Sequence, residues 1–205
     1  MTNYKIYPNV KLGKNVKIGE FCVIGLPSKG QAEGKLETII GDDSEIRSNS
    51  VIYAGNVIGK NFQTGHQVMI RESNRIGENV SIGTGSCVEH HVEIGDSVRI
   101  HSKVFIPEYS VLEEGCWLGP AAVLTNAKYP CSANVKRNLK GPRICKRAKL
   151  GANVTILPGL IIGENCLIGA GSVVVANVPA GKIVVGNPAK IIGDVKEKDE
   201  YKFCR

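Results

Sequence analysis

One spacing constrains this chain more than any other feature. From Ile40 to Leu124 every sixth residue is aliphatic: Ile40, Ile46, Ile52, Ile58, then Ile70, Ile76, Ile82, Val88, Ile94, Ile100, Ile106, Leu112, Leu118 and Leu124. Only Thr64 breaks the run, and no residue is inserted or lost. Four residues after most of these stands a small or apolar residue, such as Val68, Val80, Ser86, Val92, Val98 or Cys116. Four forward is also two back from the next repeat. Each hexapeptide therefore carries an inward pair at period two, the alternation of a strand with one buried face. Six residues would rotate a helix about 240° from its starting face, so the pattern excludes helix. Gly often follows the aliphatic (Gly41, Gly59, Gly77, Gly83, Gly95, Gly119), as expected where a corner is crowded or its backbone unusual. A strand pair interrupted every six residues describes a solenoid that turns a corner at each repeat.

The series begins at Ile6, Leu12, Ile18 and Ile24, pauses over residues 26–39, and pauses again over 125–143. It then resumes at Ile144 and runs through Leu150, Ile156, Ile162 and Ile168 to Val174. We read residues 1–193 as one solenoid domain with two insertions. Residues 194–205 form a charged tail, expected as a short helix capping the open end. Aromatics are only 5% of the chain, and Gly is abundant, as a narrow core of Ile, Val and small residues requires. The seven Cys form no C-x-x-C pair. Cys22, Cys116 and Cys166 fall at small inward positions, which reads as reduced core filling in a cytoplasmic protein. The first residues, MTNYKIYPNVKLG, lack a signal-peptide core, and no apolar run reaches membrane-spanning length. A soluble chain without a membrane partner is expected.

With this repeat the chain resembles the hexapeptide-repeat acyltransferase family. The resemblance implies an all-β fold, a left-handed parallel β-helix of triangular section with three hexapeptides per coil, so that residues three repeats apart stack. It further implies a homotrimer with active sites between neighbouring subunits and acetyl-CoA as the acyl donor in that groove, with no metal. The family's cofactor contacts carry over to Pro120, Ala152 and Ala170, in the small-residue column of the second corner. The closing GNPAK, Gly186 to Lys190, resembles the family's terminal G-x-P-A-basic motif and puts Lys190, with Lys182 beside it, toward CoA phosphates.

With that stacking, Ile52, Ile70, Val88, Ile106 and Leu124 share the third corner, and both insertions leave from it. Insertions on one corner of a regular solenoid mark a working face. Two residues past the aliphatic, this corner reads Ala54, Glu72, His90, Glu108, Asn126. An imidazole between two carboxylates is a candidate general base, because a carboxylate on one ring nitrogen fixes the tautomer and raises the basicity of the other. The segment VEHHVEIG resembles the E-H-x-x-x-I-G stretch of N-acetyltransferases that act on nucleotide-linked 4-amino sugars, whose His is the base; His90 matches it. The family's acidic residue directly after that His is His91 here, so the orienting carboxylate is sought in Glu72 or Glu108. His91, in a column with Ser73 and Tyr109, is expected to shape the acceptor pocket. The segment LTNAKYP resembles the loop entry of acetyltransferases acting on nucleotide-linked 3-amino sugars, which adds Asn126, Lys128 and Tyr129 as substrate contacts; Cys131 stands where that motif continues with a basic residue. His66 and His101 lie on the second corner without an acidic partner, His101 being the fallback base. The first corner reads as polar and solvated.

The net charge of +7 is concentrated: Lys128, Lys136, Arg137, Lys140, Arg143, Lys146, Arg147 and Lys149 fall in one stretch without an acidic residue. Such a stretch is either a solvated loop or a seat for phosphates. No nucleic-acid motif accompanies it, so nucleic acid is not an expected partner. The mid-chain loop holds no His, unlike the galactoside and xenobiotic acetyltransferase branches. The four His do not match the three-His zinc pattern of carbonic anhydrases in this fold. The expected function is acetyl-CoA-dependent acetylation of a sugar, foremost the amine of a nucleotide-linked amino sugar. Sugar O-acetylation and a non-catalytic β-helix scaffold are the alternatives.

Overall fold

In the computed structural model, which describes residues 3–197, the chain forms a left-handed parallel β-helix with three faces. The third face stacks nine strands from Lys5–Ile6 to Val173–Val174, and the first stacks eight from Val10–Leu12 to Ile161–Ile162. The second face stacks ten, from Lys17–Ile18 to Leu167–Ile168 and then a closing hairpin. Most strands are two residues long, and their register follows the repeat: Ile52 beside Ile70, Ile70 beside Val88, Val88 beside Ile106. The aliphatics from Ile24 onward are at most 4% exposed along this series. Thr64 fits the same interior because its Oγ1 accepts the Arg47 N–H at 2.9 Å, so the hydroxyl is not left unpaired. Phe62 is fully buried at a position where most repeats carry a small residue.

The corners correct one expectation. The left-handed residue comes three positions after the aliphatic, as at Asn15, Asp43, Asn61, Asn79, Asn153 and Asn165, with φ from +55 to +58°. Asn and Asp tolerate that conformation better than other side chains. Apart from Gly25, whose φ is +76°, Gly directly after the aliphatic answers to crowding. A Cβ on Gly59 would lie 2.7 Å from the Gly77 carbonyl carbon, and one on Gly119 would lie 2.7 Å from Ala152 N.

The first excursion is shorter than the spacing implies. The strand Val23–Leu26 runs past the corner through a register shift near Gly25, and the chain returns at Thr38. The second leaves after Leu124 and returns at Arg143. Both depart from the third face and re-enter on the first. At the N-terminal end the three edge strands point Lys5, Lys11 and Lys17 to solvent, a charge on each open edge. At the other end Lys182–Gly186 and Ala189–Asp194 form an antiparallel hairpin that extends the second face, with Ile183 and Val184 buried. This hairpin, not a helix, continues the solenoid. Of the expected tail helix, Asp194 ends a strand and Val195–Glu197 is a short 3₁₀ turn; residues 198–205 lie outside the described residues.

Cys22, Cys116 and Cys166 are buried and free. The Cys116 thiol donates to the Cys145 carbonyl at 3.1 Å, and burial pushes its pKa up to about 12. Among the described residues no helix is long and apolar enough to cross a membrane.

Candidate active site

The column on the third corner is built by the turns that follow Ile70, Val88 and Ile106. Two buried asparagines hold these turns from inside. Asn56 Nδ2 donates to Tyr53 O (2.7 Å) and Arg71 O (2.8 Å), and its Oδ1 accepts Asn74 N–H. Asn74 Nδ2 donates to Arg71 O (2.8 Å), and its Oδ1 accepts Val92 N–H (2.7 Å). The carbonyl of Arg71 and the amides of residues 74 and 92 are thereby satisfied away from water, which fixes the backbone that carries Glu72 and His90.

The two carboxylates flanking His90 are used differently. Glu72 is gripped by Arg71, whose Nε and Nη2 donate to Oε2 and Oε1 at 2.9 and 3.0 Å. Arg71 Nη1 also reaches Glu89 at 3.4 Å, and its guanidinium lies over the Tyr53 ring. Burial pushes the Glu72 carboxyl up, but the Arg71 hydrogen bonds, a backbone hydrogen bond and the charge of Arg71 together hold the group below its ordinary value. Glu108 instead turns toward the histidine: its Oε1 is 3.7 Å from His90 Nε2, while its Oε2 accepts Asn126 Nδ2 at 2.6 Å. That approach is too long for a hydrogen bond, though near enough for attraction to a protonated ring. His90 Nδ1 is buried and meets no hydrogen-bond partner among the described residues. A buried polar atom without a partner is uncommon and marks a place where something else is accommodated.

Beside His90, His91 and Tyr109 both adopt left-handed backbone, with φ +56 and +64°. Their rings stack at 5.8 Å with planes 12° apart, and each meets His90 edge-on, at 5.0 and 6.1 Å. Arg71 and Tyr109 are site neighbours that the sequence reading did not select. Their signal was present: Tyr109 stands one coil from His91 in the same column, and Arg71 directly precedes Glu72.

Asn126 joins this column to the second excursion, since its carbonyl accepts Lys140 N–H at 2.9 Å across the loop's neck. Lys128 and Tyr129 lie farther out. They contact each other and line a dimple with Ser132, Val135 and Asn138 that includes none of the His90 column. The basic stretch is also less free than its composition suggests. Arg143 pairs with Glu113, Lys146 with Glu114 at 3.3 Å and Arg147 with Glu164 at 3.0 Å.

On the second corner Pro120, Ala152 and Ala170 form one column, with Asn153 N–H bonded to Pro120 O (2.9 Å) and Gly171 N–H to Ala152 O (2.8 Å). Gly119 and Gly151 precede the first two, and a Cβ on Gly151 would lie 2.5 Å from Ala170 N. The result is a strip of nearly bare backbone, which fits a narrow extended ligand. Val185 leans over Gly169 at its upper end, and exposed Lys190 pairs with Val185 across the hairpin. Lys182 is held by Asp194 at 2.8 and 3.0 Å. His101 packs against Trp117 at 4.6 Å; burial, followed by the charge of Arg99, lowers its pKa.

The family model described as bacterial transferase hexapeptide (six repeats) matches residues 75–108 and 141–176. A tetrahydropyridine-2,6-dicarboxylate N-acetyltransferase of Clostridium perfringens is 55% identical over 53 residues, 26% of this chain and 22% of that protein. Galactoside O-acetyltransferase of Escherichia coli is 34% identical over 56 residues, 27% of this chain and 28% of that one. The chain thus spans less than a third of the length of these curated relatives. Among solved structures, a UDP-N-acetylglucosamine acyltransferase from Bacteroides fragilis has the same fold, with a TM-score of 0.63 at 18% identity over 95% of this chain and 74% of that chain.

Proposed function

We propose that this chain, whose residues 75–108 and 141–176 match the hexapeptide transferase model, transfers an acetyl group from acetyl-CoA to a sugar, foremost the amine of a nucleotide-linked amino sugar. The observation that carries this reading is His90: a half-buried imidazole with Glu108 on its Nε2 side and Nδ1 without a partner among the described residues, on the corner from which both excursions leave. The VEHHVEIG segment supports the amino-sugar acceptor.

In this reading the charge of Glu108, held by Asn126, favours the proton on the Nε2 side of the ring without a hydrogen bond and leaves the lone pair on Nδ1. The acceptor nitrogen attacks the acetyl carbonyl carbon, the C–N bond forms, and the nitrogen's proton passes to His90 Nδ1. The C–S bond breaks, and the departing sulfur takes up that proton. Since Nδ1 is buried, the acceptor reaches it by displacing a neighbour, and His91 and Tyr109 are the exposed rings packed there. The bare strip at Pro120, Ala152 and Ala170 suits the donor's extended arm, and Lys190 suits its phosphates.

A homotrimer with shared sites is part of the proposal. Support comes from the third face, where Met69, Phe105 and Val123 point outward and are 36–38% exposed, an apolar stripe beside the His90 column. The likeness to galactoside O-acetyltransferase over 56 residues favours a hydroxyl acceptor as the second reading. The deciding experiment is mass spectrometry of products after incubation with acetyl-CoA and a panel of nucleotide-linked 3- and 4-amino sugars and simple galactosides. A gain of one acetyl group on an amino sugar supports the first reading, a gain on a galactoside the second. No gain on any acceptor sinks both.

A further inference from the structure

The second face carries a concavity that begins in the coil directly below the bare donor strip and extends down through four coils. Its volume is about 240 Å³, and Arg47, Gln63, Ser81, Thr84, Arg99 and Ser102 contribute polar side chains to its lining. Among the described residues no carboxylate lines it. That sets it apart from the larger hollow on the first face, about 610 Å³, where Arg75, Arg143 and Lys146 face Glu93, Asp96, Glu113 and Glu114. There the cations are outnumbered, and two of them are already paired within the hollow. The second-face cavity instead holds two guanidiniums among hydroxyls and an amide. Arg99 has no ion pair among the described residues. Arg47 has one, Nε to Glu45 at 3.3 Å, and both side chains are about half exposed. Such a pair contributes about 1 kcal/mol or less and yields readily to a better anion.

His101 lines the same cavity, and its Nε2 is buried with no partner among the described residues. Beside the cavity there is thus one polar atom left without a partner among the described residues. Burial and the charge of Arg99 hold His101 toward its neutral form, and a neutral imidazole N–H is a donor that a phosphate oxygen accepts. Ser102 lies directly below Pro120, its carbonyl accepting Ala121 N–H at 2.9 Å, so cavity and donor strip share one column.

We propose that this concavity is a phosphate-binding site, formed by Arg47 and Arg99 with Thr84, Ser102 and His101, that seats the diphosphate of a nucleotide-linked acceptor. Arg supplies planar, paired donors that match phosphate oxygens. The backbones carrying the two arginines are roughly three coils apart, about 14 Å at the parallel-strand spacing, so one or two phosphates between the side chains meet both. Naming the ligand as the acceptor's phosphate deepens the acetyl-transfer reading and rests on it; the anion site itself does not. It also moves the phosphate seat away from the 128–149 stretch, where three of the cations are already paired.

The test is calorimetric titration of the folded protein with inorganic pyrophosphate, which needs no turnover. Arg99→Gln is expected to weaken binding by about tenfold or more, and the His101 imidazole resonances are expected to shift on addition. The double variant K136Q/R137Q is expected to bind as wild type. Absence of binding at millimolar pyrophosphate, an unaltered affinity in Arg99→Gln, or loss only in K136Q/R137Q would overturn the site. Competition then identifies the source. Displacement by a nucleoside diphosphate and not by CoA supports the acceptor; displacement by CoA alone overturns that assignment.

Discussion

The first and third corners of this solenoid have the same backbone and opposite chemistry. Two residues past the aliphatic, the first corner presents Lys60, Glu78, Asp96, Glu114 and Lys146, and both lysines are paired with acids along the column. Lys60 meets Glu78 at 3.2 Å and Lys146 meets Glu114 at 3.3 Å, with side chains 47–63% exposed. The third corner presents Glu72, His90, Glu108 and Asn126 at the same spacing, and the first three have side chains only 16–26% exposed. Its interior is stiffened by Asn56 and Asn74, and its exit leads into the longer excursion. A stacked ladder is therefore chemically neutral by itself. Partial burial, fixed turns and an uncancelled imidazole distinguish one column from the other.

The largest effect that separates the corners is expected at His90. Replacing it with Ala lowers the turnover of acetyl transfer by about 10²-fold or more if it is the base, with the fold retained by circular dichroism. Unchanged turnover would make the third corner as passive as the first. Next comes Asn74→Ala, which strands the Val92 amide in the interior and leaves the Arg71 carbonyl with Asn56 as its side-chain donor. It costs about 2 kcal/mol or more in denaturant unfolding, and a loss under half that would show that the turn is held otherwise. The two acids sharpen the comparison within the third corner. Glu108→Gln is expected to lower kcat about tenfold with little change in KM, because it removes a charge that stabilises protonated His90. Glu72→Gln acts mainly on stability. An equal kcat loss in both variants would mean that Arg71 does not take Glu72 out of the chemistry.

The Glu72 pairing also predicts a pH dependence. Its carboxyl is held below the ordinary value by Arg71, so the pair's contribution is complete above the unfolded carboxyl pKa, about 4.3. It is lost as pH falls through the lowered folded value. Melting curves of wild type and Glu72→Gln should differ at neutral pH and converge in strong acid; a constant difference would exclude ionisation as the cause. The smallest effect belongs to the first corner. Glu78→Gln should change stability by about 0.5 kcal/mol or less and leave turnover intact, as expected for an exposed pair.

Much of this was legible from spacing. The six-residue step located the strands, and the two interruptions located the excursions on one face. It also identified Glu72, His90, Glu108 and Asn126 as neighbours before any coordinates, since stacked repeats make sequence separation a measure of distance. It was less informative about what lies between repeats. The choice of Glu108 over Glu72 depends on where the long side chain of Arg71 goes. The neutralisation of Arg143, Lys146 and Arg147 depends on acids some seventeen to thirty-two residues away on the adjoining columns. The C-terminal hairpin follows no hexapeptide period, so its role as the next layer of the second face was not visible in the repeat.

The sequence by itself determined the coil, because a strict hexad of aliphatics can bury one face only by turning at every repeat. It also determined which residues share a column, because the register allows no slip without turning the core outward. Tertiary structure decided how each column is used. Side-chain reach, burial and cross-column pairing select among chemically equivalent neighbours, and none of these is periodic.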